Sequence, residues 1–339
     1  MIASPPAQPD GAAAESPGDP AGTPTAAPPA DPSAPVTDRE PLQSPTLGVS
    51  TPTIADLDRF IAATGTHPEV FDTFESWSLG RPLQQDVADA VAARGARLSV
   101  TWEPWDNTDA HTDQPDYTLA SIIDGAHDSY IDMYASSVRA NPHPVTIRLM
   151  HEMNGNWYPW GSGVNGNQPG EFVRAWQHVH DRFTALGVTN VTWLWAPNAV
   201  YRGSEPLVPL YPGDAYADAV GVSNYNWGDQ VHDGFQTHWA TFDALFEPTI
   251  TELRSITGRP VWIAEVGSSN SGGNKAAWLA ALLAELPGRP EIAGVVWFDQ
   301  VDEAHGIDWR IENEPATARA WAQGFEARPT ITRPRSTPR

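Results

Sequence analysis

Two glutamates, each closing a strand-like run, carry the clearest chemical possibilities in this chain. Glu152 lies within Arg148 to Gly161, RLMHEMNGNWYPWG, directly after the β-branched run Val145-Thr146-Ile147. Glu265 closes Val261-Trp262-Ile263-Ala264 and is followed by Val266 and Gly267. Two carboxyl groups about 5 Å apart can break a glycosidic bond with retention, one as general acid and then base, the other as nucleophile. The neighbours suit a sugar. His151 adjoins Glu152, and Trp157, Tyr158 and Trp160 follow in a Pro/Gly-rich loop whose flat rings could stack on the CH faces of a pyranose. A plainer reading makes these a salt-bridged Glu and a core aromatic cluster, since perturbed carboxylates are often structural. The second strand-end Glu favours chemistry.

Positioning such a pair requires a scaffold, and the chain spells one. Strand-like runs occur at Leu47–Ser50, Val70–Phe74, Leu98–Trp102, Val145–Ile147, Val191–Trp195, Ala219–Ser223, Val261–Glu265 and Gly294–Phe298. Amphipathic segments alternate with them. The spacing predicts helices over Ile54–Thr64 (capped by Thr53), around Val87–Val91, over Tyr117–Arg139 and over Phe172–Leu186. Others are expected near Trp239–Ile256, Ala276–Leu286 and Thr317–Phe325. Eight strand–helix units in about 280 residues imply a closed (β/α)8 barrel of the α/β class. An open doubly wound sheet is the alternative, although no G-x-G-x-x-G follows the first strand.

In a barrel, chemistry gathers at the C-terminal strand ends. Trp77, Trp102, His151, Glu152, Asn198, Tyr225, Glu265 and Trp297 all fall there in the sequence. Core residues alone have no reason to cluster at one end of every strand. Alternation along the Glu265 strand places Val261, Ile263 and Glu265 on one side and Trp262 and Ala264 on the other. It cannot turn both His151 and Glu152 inward, so a bulge or sharp twist is expected there.

Composition narrows the partners. The formal charge of −22 argues against nucleic acid, which needs a basic face. With no cysteine, disulfides and thiolate chemistry are excluded. Lysine occurs once, at Lys275, which we read as compositional bias. Fifteen Trp favour a ring-stacking cleft. Asp109, His111 and Asp113 form an oxygen-and-imidazole set, but loops are commonly Asp-rich, and neither a metal nor a cofactor is expected. No 18-residue apolar run spans a membrane. Residues 1–45 have the Pro/Ala-rich composition of a disordered linker, 46–327 form the single globular domain, and 328–339 read as a disordered tail. The linker suggests a secreted domain whose export signal precedes the given start, and a monomer is expected.

The stretch Arg148 to Gly161 and the run Ile263 to Gly267, with Tyr225 and Trp297 in support, resemble glycoside hydrolase family 26, retaining (β/α)8 glycosidases. The likeness covers residues 46–327. It implies that Glu152 is the acid/base and Glu265 the nucleophile. By the same resemblance His151 holds the sugar at the cleavage site, Trp157 stacks near it, Tyr225 hydrogen-bonds the nucleophile and Trp297 floors the sugar. Trp102, Trp160 and Asn198 are added as substrate-binding candidates. The family's mannanases typically carry Trp-Phe-Trp-Trp-Gly where this chain has Trp157-Tyr158-Pro159-Trp160-Gly161. The resemblance therefore implies an endo-β-1,4-mannanase, with a mixed-linkage β-1,3-1,4-glucanase or β-1,3-xylanase as alternatives. A glycan-binding barrel without catalysis is a different class, and loss of either Glu would have favoured it.

Overall fold

The structure, a computed structural model, describes residues 44–109, 111–232 and 234–328. The expected linker and tail lie outside the described residues except for positions 44, 45 and 328. Two of them meet: Arg328 Nη1 donates to the Pro45 carbonyl, and also to Glu69, each at 2.7 Å, clipping the two ends of the domain together.

Eight parallel strands close into a barrel: β1 (Thr46–Ser50), β2 (Val70–Ser76), β3 (Arg97–Glu103), β4 (Val145–Leu149), β5 (Val191–Trp195), β6 (Ala219–Asn226), β7 (Val261–Ser268) and β8 (Ile292–Phe298). Strand β1 pairs with both β2 and β8, which closes the sheet and rules out the open alternative. Eight helices stand around it: α1 (Ile54–Thr64), α2 (Gln85–Ala93), α3 (Leu119–Ile123), α4 (Asp128–Ala140), α5 (Glu171–Ala185), α6 (Phe242–Ile256), α7 (Lys275–Glu285) and α8 (Pro315–Ala327). Thr53 caps α1 by accepting from the Asp56 N–H, as its hydroxyl predicts. The helix expected over Tyr117–Arg139 is broken. Gly125 takes a left-handed φ of 82° between α3 and α4, so the backbone turns where apolar periodicity alone read continuity. Likewise α6 starts at Phe242, where Thr241 supplies the cap, not near Trp239. Among the described residues no helix is long and apolar enough to cross a membrane.

Strict alternation divides the strands. Leu98, Val100 and Trp102 of β3, or Val145, Ile147 and Leu149 of β4, join the helices in the main core. The residues between them face the barrel interior. A small cluster of Leu194, Ala196, Ala219 and Ala264, with Trp262 against it, fills that interior lower down. Above it the lining becomes polar: Asp72, Thr101, Glu103, Arg148, Ser223 and Glu265 are all buried. Buried charge persists only where paired, so this layer is built for something other than packing.

Candidate active site

Glu152 reaches the site by an abrupt backbone departure. Strand β4 ends at Leu149, and Met150 (φ 44°) and Glu152 (φ 55°) then adopt left-handed conformations that side-chain-bearing residues avoid. Each costs on the order of 1–3 kcal/mol and must be held by its surroundings. The Glu152 N–H donates to the Ala196 carbonyl at 2.8 Å, and Trp160 Nε1 donates to the His151 carbonyl at 2.7 Å. Asn154 clamps the next loop, its amide accepting from the Asn198 N–H and donating to the Asn198 carbonyl at 2.8 and 2.9 Å. The sharp twist expected at His151–Glu152 is this pair of left-handed residues.

The Glu152 carboxyl group accepts from Trp157 Nε1 at 2.9 Å on one oxygen and from Asn198 Nδ2 at 3.1 Å on the other. Burial is the main cause raising its pKa to about 8, and the nearby Glu265 charge adds to it. The two donors and Arg148 pull the other way without prevailing. At neutral pH Glu152 holds a proton.

Glu265 is brought inward by a bulge. Val222 pairs with Ile263, but the next residue, Ser223, pairs with Glu265, which leaves Ala264 as an extra residue in β7. Consequently Val261, Ile263 and Val266 pack toward the helices, whereas Ala264 and Glu265 both face the interior. The alternation expected for this strand is corrected at that point. Glu265 accepts from Arg148 Nη2 on one oxygen and from the Tyr225 hydroxyl on the other. Arg148 also donates from Nε to Thr101 Oγ1 at 2.9 Å and from Nη1 to Ser223 Oγ at 3.1 Å. Burial opposes its charge, yet the Glu265 and Asp72 carboxylates hold its pKa above the ordinary value. Burial also raises Asp72 to about 6 and Glu103 to about 8, against the pull of Arg148 on both.

The structure assembles some of the expected aromatics here and turns others away. Trp157 is half-buried beside Glu152, packed so flatly on Gly155 that a Cβ there would lie 2.3 Å from its ring. Tyr225 and Asn198 each touch a carboxyl group. Trp160 sits behind the site, stacked on Tyr158 at 4.5 Å, and supports His151 from its backbone side. Trp102 does not join the cluster; it faces outward and stacks on Tyr134 of α4 at 4.4 Å. Trp77 packs beside it. Trp297 likewise faces the helices, against Trp278 of α7, so it does not floor the site. The reason is parity: on β3 and β8 the inward residues are Glu103 and Phe298, one position further on. The aromatic wall beside Tyr225 is formed by Phe298, Trp227 and Trp309, with Trp309 5.1 Å from the Tyr225 ring. Glu103, Arg148 and Trp309 were missed as site residues in the sequence. Inward parity with Thr101 could have found Glu103.

His151 is buried beside this cluster, its Nε2 3.1 Å from the Tyr158 hydroxyl and its Nδ1 3.9 Å from Glu103. Burial, and then Arg148, hold its pKa well below the usual range, so the ring is neutral. In the Asp109/His111/Asp113 loop, His111 Nδ1 pairs with Asp109 at 2.7 Å in an exposed position. Among the described residues no three metal-ligating side chains converge.

A closed parallel barrel with two buried glutamates near enough to influence each other, one of them paired with Arg148, suits a glycoside hydrolase. Within that class, this chain belongs to Glycosyl hydrolase family 26, whose profile matches residues 96–280. Endoglucanase H of Acetivibrio thermocellus is 32% identical over 282 residues, covering 81% of this chain and 29% of that protein. A mannan endo-1,4-beta-mannosidase of Bifidobacterium adolescentis is 24% identical over 204 residues, covering 56% of this chain and 20% of that protein. This chain thus spans less than a third of the length of either relative. Among solved structures, a Cellulomonas fimi endo-beta-1,4-mannanase double mutant aligns with a TM-score of 0.63 at 20% identity, covering 82% of this chain and 70% of its own. A family 26 beta-mannanase from Bacteroides ovatus aligns at 0.60 and 16% identity, covering 84% and 89%. At those identities the likeness concerns the fold.

Proposed function

We propose that the protein is a retaining endo-β-glycanase, with Glu152 as acid/base and Glu265 as nucleophile. The observation that carries this reading is the difference between the two environments. Glu265 accepts from two donors, a guanidinium and a phenol, that hold its two oxygens in place. Glu152, with its pKa near 8, keeps a proton to give. Protonation of the glycosidic oxygen by Glu152 accompanies attack of Glu265 on the anomeric carbon. The leaving sugar departs as an alcohol, and a glycosyl ester forms. Glu152, now ionised, takes a proton from water as that water attacks the ester, and the β configuration returns. Trp157 both orients Glu152 through its Nε1 and presents a half-buried ring to the sugar.

For the backbone, a β-glucan is the first reading, because the endoglucanase relative matches most of the barrel at the higher identity. Pro159, where the mannanases typically carry an aromatic, supports it. A β-1,4-mannan is the second, supported by the mannosidase relatives. An extracellular place of action suits a polymer too large to enter a cell. Incubation with barley β-glucan, glucomannan, galactomannan and β-1,3-xylan, with product sizing, tests the reading. Oligosaccharides from barley β-glucan are expected. Products from galactomannan alone would select the mannan reading, and no product from any of the four would overturn the assignment.

A further inference from the structure

Lys275 is the only lysine in the chain, and it stands where a lysine is costly. It opens α7, the helix end at which aligned peptide dipoles disfavour a cation, and it is 0% exposed. A buried ammonium persists only if its donors are used. Lys275 Nζ donates to the Asp308 carbonyl at 3.0 Å and to the Arg310 carbonyl at 2.7 Å, with Glu314 at 3.5 Å. Those two carbonyls flank Trp309.

The rest of this segment is held as closely. The Trp309 carbonyl accepts from Trp297 Nε1 at 2.9 Å, and its N–H donates to the Gln300 carbonyl at 3.0 Å. Two residues on, the Ile311 N–H donates to Asp299 Oδ1 at 2.7 Å. The backbone from 308 to 311 is therefore pinned from α7, from β8 and from the loop that leaves β8. The pinned ring then bears on the site. Besides its contact with Tyr225, Trp309 lies 5.2 Å from Trp227, and a Cβ on Gly267 would come within 2.9 Å of it and 3.1 Å of Tyr225. The Gly267 backbone thus lies close to both rings, and the Tyr225 hydroxyl meets Glu265.

We infer that Lys275 is a positioning residue, which fixes the Trp309 segment so that the indole holds Tyr225, and through it Glu265, in the geometry of attack. The inference rests on the assignment of Glu265 as nucleophile. Trp297 serves the same end from the other side, as a tether and not as a sugar platform.

Lys275→Met keeps the length and removes the donors. In the full chain, hydrogen exchange at the Trp309 and Ile311 amides should quicken about tenfold or more while the barrel strands keep their protection. With the glycan that the unaltered protein cleaves, kcat should fall about 10- to 100-fold and KM stay within about twofold, because orientation is lost in place of binding. Lys275→Arg should recover most of kcat. Unchanged exchange, or faster exchange with unaltered kcat, overturns the inference. If Lys275→Met unfolds, Trp297→Phe removes one tether alone; it should quicken exchange at the same amides and lower kcat by about threefold or more, and kcat equal to that of the unaltered protein overturns the inference. Should the unaltered protein cleave no glycan, the functional reading falls, and the exchange arm alone decides whether Lys275 tethers Trp309.

Discussion

Arg148 on β4 and Glu265 on β7 form a buried ion pair across the barrel interior, joining strands three places apart in the sheet and 117 residues apart in the chain. The guanidinium also holds Thr101 and Ser223, so one side chain ties four strands together where the carboxylates would otherwise repel. Removing one member of a buried pair leaves the other uncompensated. Arg148→Met should therefore lose about 3–5 kcal/mol of stability in urea unfolding at pH 7. A loss below about 1 kcal/mol would mean that the pair is not a structural hub.

The pH–rate profile should fall on its alkaline side near pH 8, where Glu152 gives up its proton in the free enzyme. Asn198 Nδ2 and Trp157 Nε1 both favour the ionised form. Asn198→Ala removes one of them, so the alkaline limb should move upward while kcat falls. Movement downward would contradict the hydrogen bond at 3.1 Å.

Gly155 permits the flat packing of Trp157. Gly155→Ala would drive a Cβ into the ring, displacing it from Glu152 Oε2. We expect kcat/KM to drop by about tenfold or more with thermal stability nearly unchanged, measured by steady-state kinetics and thermal melts. Wild-type kinetics would show that Trp157 does not need this position.

Much of the barrel was legible because its signal is local. Eight runs of apolar and β-branched residues announce eight strands, and the two glutamates stand at strand ends where a barrel keeps its chemistry. The errors came from facts that one strand does not contain. Which side Glu265 faces depends on the bulge at Ala264, a matter of register with β6. Trp102 and Trp297 lie at strand ends, which suggests the cleft, although parity with Val100 and with Val295 turns them outward. Trp309 lies eleven residues beyond Phe298 in a loop, and its position is set by Lys275 from another segment. The break at Gly125 was overlooked because apolar spacing continues on both sides of it.

Glu103 makes stability depend on pH. Burial, foremost among its causes, raises its folded pKa to about 8, above the ordinary carboxyl value near 4. The stabilisation is thus fully present below about pH 4 and is lost as pH rises through about 8. Glu103→Gln cannot ionise. Relative to the unaltered protein, its thermal midpoint should rise as pH goes from about 6 to 9. A difference that stays constant over that range would show that Glu103 does not titrate as described.

The central claim is that Glu152 and Glu265 have different roles, and azide separates them. Glu152→Ala should still form the glycosyl-enzyme from a dinitrophenyl β-glycoside, whose leaving group needs no proton, and then stall for want of a base. Azide, which needs no deprotonation, should relieve the stall and give a β-glycosyl azide. Glu265→Ala should lose about 10⁴-fold or more on every substrate, and any product that azide restores should be the α-glycosyl azide, from attack in the nucleophile's place. The account predicts β from the first variant and α from the second, read by proton NMR of the anomeric signal. The opposite pairing, α from Glu152→Ala and β from Glu265→Ala, would contradict it by exchanging the two roles.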